Sequence, residues 1–218
     1  MTNVPQIRGL TFVLIGEFNP TIFQPAWFAS ENLLTEEEAS AADVSVIHPD
    51  ITAFELPWIR IQVERERVSV TSLAQPYFER AAATVCDTFA ILKHTPVRLF
   101  GVNNEAHYRA STADKWHALG HKLVPKDYWR TFFSNPGMQN VSIRQVPRDD
   151  GLGGHTQIVV EPSVKVQPGV YIATNDEIRN ADGSFLGAAR TVELIQEKWP
   201  SLLEFSETVF SSIAEEIA

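Results

Sequence analysis

Apolar residues recur along this chain at two spacings, and the changes between them mark out its elements. Residues 10–18 are almost continuously apolar, up to the Asn19-Pro20 break. That predicts a strand covered on both faces. Pro25 opens a short helix, where its missing N–H costs little. Thr35-Glu-Glu-Glu38 is a capping box opening a second one, its three carboxylates favoured by the helix dipole. Strand-forming runs then follow at 44–47 and 51–56. In Trp58-Ile-Arg-Ile-Gln-Val-Glu64 the alternation is strict: Ile59, Ile61 and Val63 point one way, Arg60, Gln62 and Glu64 the other. The apolar phase shifts before Val68, so a hairpin turn falls within 64–67.

From Pro76 to His94 the period lengthens to a helical one. Phe78, Ala82, Val85, Phe89 and Leu92 form one stripe, with Cys86 beside it as a small core residue. A new strand begins near Pro96. Ser111-Thr112 caps a helix over 113–120, and a further helix is expected over 126–133. Strands are expected at 141–146, 158–160, 164–166 and 169–175. Gly- and Asp-rich loops are expected at 148–155 and 180–189, with Asn175-Asp176-Glu177 placed in solvated, acidic chain. Residues 191–199 are helical, Pro200 kinks or restarts the helix, and Leu202, Phe205, Val209, Ile213 and Ile217 continue its apolar stripe.

The stretch Thr95-Pro-Val-Arg-Leu-Phe-Gly-Val-Asn-Asn-Glu-Ala-His-Tyr-Arg109 echoes the opening strand. With Gly16 set over Gly101, Asn19 falls on Asn104 and Leu14 on Leu99. Each half has a strand, short helices, several strands and a long helix. From Pro49 to Pro76 is 27 residues, and from Pro162 to Arg190 is 28. The expectation is one α+β domain over 1–218, made of pseudo-repeats 10–94 and 95–217. Its sheet is curved and mostly antiparallel, with the helices packed on one face, because two half-sheets that cannot close alone share a core. This element order resembles the fold of the TATA-binding protein. The resemblance covers most of the chain and implies architecture only, since no DNA-contacting residue carries over. Gly16-Glu-Phe-Asn-Pro20, Trp27-Phe28 and His48-Pro-Asp-Ile-Thr52 also resemble a group of uncharacterised bacterial proteins, which implies a bacterial source.

Composition narrows the function. The formal charge of −9, from 27 acidic and 18 basic residues, opposes non-specific binding to nucleic acid or to an anionic membrane. A single cysteine permits no intrachain disulfide and fits a reducing compartment. No apolar run approaches the roughly 18 residues of a membrane span, and the first residues lack a signal-peptide pattern. A cytoplasmic protein without a cofactor is expected.

No P-loop, kinase or serine-hydrolase signature occurs. His117 and His121, four apart on a helix, have a spacing that suits two metal ligands, with Glu105, His107 or Asp114 available to complete a site. Ala118 replaces the glutamate of a zinc-protease helix. An enzymatic alternative places His107, Glu105 and Asn104, with Asn103, in a pocket between the halves. The favoured expectation is a non-catalytic interaction module. It would bind a protein partner, or itself, through the sheet face at Arg60, Gln62 and Glu64 or through short-helix aromatics such as Trp27 and Trp129.

Overall fold

In β1 (Ile7–Gly16), Leu10, Phe12 and Leu14 are fully buried on one face, while Thr11, Val13 and Ile15 line the other. This strand and β6 (Val97–Arg109) are antiparallel neighbours at the middle of a nine-stranded sheet. The computed structural model describes residues 3–218. After β1 come α1 (Pro25–Ser30) and α2 (Glu36–Ser40). The meander β2 (Asp43–His48), β3 (Ile51–Leu56), β4 (Ile59–Glu64) and β5 (Arg67–Ser72) leads into α3 (Phe78–Ile91). After β6 come α4 (Ala113–Leu123), then β7 (Val141–Gln145), β8 (Gly153–Pro162) and β9 (Gly169–Arg179), then α5 (Ala188–Glu215). The sheet runs β2-β3-β4-β5-β1-β6-β9-β8-β7, and every pairing is antiparallel. The protein is α+β, with its helices packed on the sheet.

Local chemistry accounts for the elements. Thr35 and Glu38 form the expected capping box, and Thr112 caps α4 through the Lys115 amide. The β4–β5 turn falls after Glu64, as the phase shift requires. Phe78, Ala82, Val85 and Phe89 are buried along α3. Burial also pushes the Cys86 thiol up to about 11, with Asp87 adding to the effect, so the thiol is inert core. Pro200 lies inside a continuous α5, flanked by buried Trp199 and Leu202, so the expected kink or restart does not interrupt the helix. The Trp199 indole N–H donates to Glu79 on α3 at 3.0 Å.

Two apolar clusters lie beneath the helices. The larger one packs Phe12, Phe23, Phe28, Phe54, Phe89 and Phe100 with the first half of α5. Its rings meet at edge-on or tilted angles, as in Phe28–Phe54 at 5.6 Å and Phe12–Trp199 at 5.4 Å. The smaller one packs Tyr108, Leu119, Ile172 and Phe210 beneath α4 and the end of α5. Between them runs a polar seam. Thr174 and Ser206 share a hydrogen bond of 2.7 Å, and Asn104 is wholly buried with neither end of its amide paired. Beside them Arg8, 6% exposed, makes a bidentate pair with Glu207 at 2.7 and 3.0 Å. The guanidinium lies against the Phe78 and Phe210 rings.

Several expectations are corrected. One face of β1 is only half-buried, because the helices cover a single side of the sheet. Residues 126–133 form no helix beyond a 3₁₀ turn at Trp129–Thr131, since nothing buries a face there and the aromatics are poor helix formers. Residues 164–166 are not a strand. The Ser163 hydroxyl accepts from the amides of Lys165 and Val166 and turns the chain. Residues 175–179 belong to β9 and not to a solvated loop. The glycine alignment of the halves is out of phase: Leu14 faces the helices, as does its partner Phe100, while Leu99 faces the other way. Pro49 lies in the β2–β3 turn whereas Pro162 ends β8, so the two prolines do not hold equivalent places.

Candidate functional site

The face of the sheet away from the helices carries one unbroken polar row. Cross-strand partners run from Asp43 on β2 to Glu55, Arg60 and Thr71, and then to Thr11 on β1. From Thr11 they continue to Asn103, Asn175, Gln157 and finally Arg144 on β7. Neighbours in the row bond to one another: Arg60 to Glu55, Thr11 to Thr71 at 3.0 Å, and Arg144 to Gln157 at 2.9 Å. Arg60 and Glu55 are exposed, and Gln62 donates to Glu64 at 2.7 Å one row further on. The period-two alternation of β4 points to three of these side chains. The rest of the row needs strand order and register, which sequence alone does not supply.

Over β1, β6, β9 and β8 this face dips into a hollow of about 600 Å³ whose walls include Glu105, His107 and Tyr171. A Cβ on Gly9 would lie 2.8 Å from the Glu105 side chain, so glycine there leaves room for Glu105 to lie flat across β1. The Tyr171 hydroxyl donates to Glu105 at 3.2 Å. Burial raises its pKa, helped by Glu105. His107 is 3% exposed, and its ring packs 4.9 Å from that of Tyr171. The Ser163 hydroxyl already accepts two amide protons, so it donates its own to His107 Nδ1 at 2.8 Å. The ring proton then lies on Nε2, which is buried without a partner. Burial holds this imidazole below its ordinary range, with Lys165 adding to the effect and Glu105 opposing it. A serine hydroxyl occupied in this way fastens the 163–168 loop to the sheet. His107 and Glu105 do share a face, as expected. Asn104 does not join them: one residue out of phase, it points beneath α5.

His117 and His121 are exposed on α4, and the His117 ring packs against Trp116 at 4.9 Å. α4 packs through Leu119 on the side of β6 that carries Ala106 and Tyr108, so Glu105 and His107 lie across the sheet from both histidines. Among the described residues, no group of three His, Cys, Asp or Glu side chains is placed to hold a metal ion.

Four of the five tryptophans are packed inward, buried Trp199 among them. Trp27 is half-buried between Phe23 and Phe28, Trp58 is buried, and Trp116 donates to the Gly169 carbonyl at 2.9 Å. Trp129 differs. Within residues 128–133, Tyr128 is 68% exposed, Phe132 61%, Phe133 60% and Trp129 43%. The rings brace one another, with Tyr128 at 5.4 Å from Trp129 and 5.5 Å from Phe132. Lys126 anchors the segment. Its ammonium, buried and depressed in pKa by that burial, donates to the carbonyls of Gly120 at 3.0 Å and Val124 at 2.6 Å at the end of α4.

A second buried cluster is not foreseen from sequence. Asp176, 1% exposed, accepts from Arg148 at 3.0 Å and from the Thr156 hydroxyl at 2.6 Å. Arg148 also pairs with Asp150 at 3.1 Å, which ties the 148–152 loop to β9. Its signal is the alternation of Ile172, Thr174, Asp176 and Ile178 on one face of β9. Among the described residues no helix is long and apolar enough to cross a membrane. No protein-family model matches the chain, and no curated protein is similar to it.

Proposed function

We propose that this protein is a non-catalytic interaction module, an adaptor or complex subunit of a bacterial cytoplasmic system, that engages a partner protein through residues 128–133. The exposed rings of Tyr128, Trp129, Phe132 and Phe133, the first three braced through Tyr128, carry the proposal. Rings turned toward water add little to the stability of the monomer, yet they are the side chains that dominate binding energy once covered. Four of them together approach the few hundred Å² at which an apolar patch marks a binding surface. Lys126 holds their backbone in place, so little ordering entropy is lost on association. The lone buried thiol of Cys86 suits a reducing compartment.

The test is a photo-crosslinking amino acid placed at Phe132 in the native host. A discrete adduct to one protein is expected, and it should vanish when Trp129→Ser and Phe133→Ser are added. Those two changes should shift the unfolding free energy by no more than about 0.5 kcal/mol, as expected for exposed sites. Labelling no different from that of a crosslinker at exposed Glu66 would sink the proposal.

A further inference from the structure

The two ends of the sheet differ in charge. Residues 31–66, which hold β2, β3 and β4, carry nine acids against two arginines, a formal −7. Residues 115–145, which end in β7, carry five basic side chains against Asp127, a formal +4 in a chain of −9. β2 and β7 are the terminal strands, so each has a sheet neighbour on one side only. Both are exposed over most of their length. The polar row begins at Asp43 on one edge and ends at Arg144 on the other. On the helix side, exposed Val44 and Ile47 of β2 correspond to exposed Ile143 of β7.

We infer that β7 of one molecule docks beside β2 of a second copy, head to tail, continuing the sheet from chain to chain. Strand direction and charge choose this joint. Eight successive antiparallel pairings leave β2 and β7 pointing the same way, so a copy displaced along the sheet presents them as parallel neighbours. It keeps the open face open and sets Arg144 of one copy beside Asp43 of the next. Two-fold joints would instead pair β2 with β2 or β7 with β7, which leaves Asp43 and Arg144 apart on separate joints. Asp43 has no ion-pair partner among the described residues, and Arg144 bonds only to a neutral amide. The bulge between Val44 and Val46 keeps the run of paired backbone short, so the joint is weak and rests heavily on charge. This inference rests on the interaction-module proposal but uses a different surface from residues 128–133.

Sedimentation velocity over a range of concentrations tests it. In about 50 mM salt the average mass should climb past that of a dimer, because a head-to-tail joint does not close at two copies, and it should fall back in about 0.5 M salt. Arg144→Glu and Asp43→Arg should each weaken association about tenfold, the scale expected when a repulsion replaces one exposed attraction between charges. Both sites are exposed, so folding should be unaffected. An equimolar mixture of the two variants should recover association, since each supplies the edge the other lacks. A monomer at every concentration, a plateau at the dimer, or no recovery on mixing would each overturn the inference. None of these results bears on the crosslink at Phe132.

Discussion

The two apolar clusters on the helix side are built differently. The first contains eight buried phenylalanines and is closed by α1, α3 and half of α5, whereas the second contains Phe210 alone and leaves β7 uncovered. The first half places its aromatics inside, Tyr77 excepted. The second half spends chain on the 124–140 segment and holds four aromatics out in water. A closely packed scaffold joined to an outward-facing end is what the proposed binding module would use. Rigidity on one side limits the ordering cost of contact on the other.

The largest effect should come from the first cluster. Phe89→Ala should lower the unfolding free energy by about 3–5 kcal/mol, read by denaturant titration. It should reduce amide protection in β1 and α3 more than in α4, and uniform loss across both halves would mean that the clusters act as one. A smaller effect of opposite sign is expected at the seam. Asn104→Leu replaces an unpaired buried amide with an apolar side chain of similar size and joins the clusters, so stability should rise by about 1 kcal/mol. A loss of stability would mean that the seam is needed to keep α5 in register. The smallest effect is a change of slope with pH. The folded His107 resists protonation more than the unfolded one, so its contribution is complete above the ordinary histidine range, near 6.5. That contribution declines as pH falls from there toward the depressed folded value. His107→Asn should therefore flatten the acid side of the stability profile, and an unchanged slope would show that the imidazole is not held neutral.

Much of the layout is legible in the chain because it follows from local rules. The alternation in β4, the stripe on α3 and the caps at Thr35 and Thr112 each depend on residues within a turn or two of one another. Strand order, and with it the polar row, depends on pairings between distant residues such as Leu10 and Asn104. The misplacement of Asn104 has a local cause. It adjoins Asn103, and in a strand such neighbours face opposite sides, so chemical residues clustered in sequence are not clustered in space. Asp176 is hidden because an acidic, polar stretch looks like loop until its partner Arg148, from another strand connection, is known. The exposed ring cluster is visible as residue types only. Whether an aromatic faces core or water depends on what the rest of the chain leaves uncovered.

α5 supplies walls to both clusters, Leu194, Ile195 and Trp199 to one and Phe210 and Ala214 to the other. Neither interior is therefore complete before α5 has docked. The central strands, some ninety positions apart, keep part of their oily faces bare until that helix packs on them. Until then the chain exposes surface that can aggregate, so its yield on refolding should depend on how fast α5 docks as well as on the stability of the finished molecule.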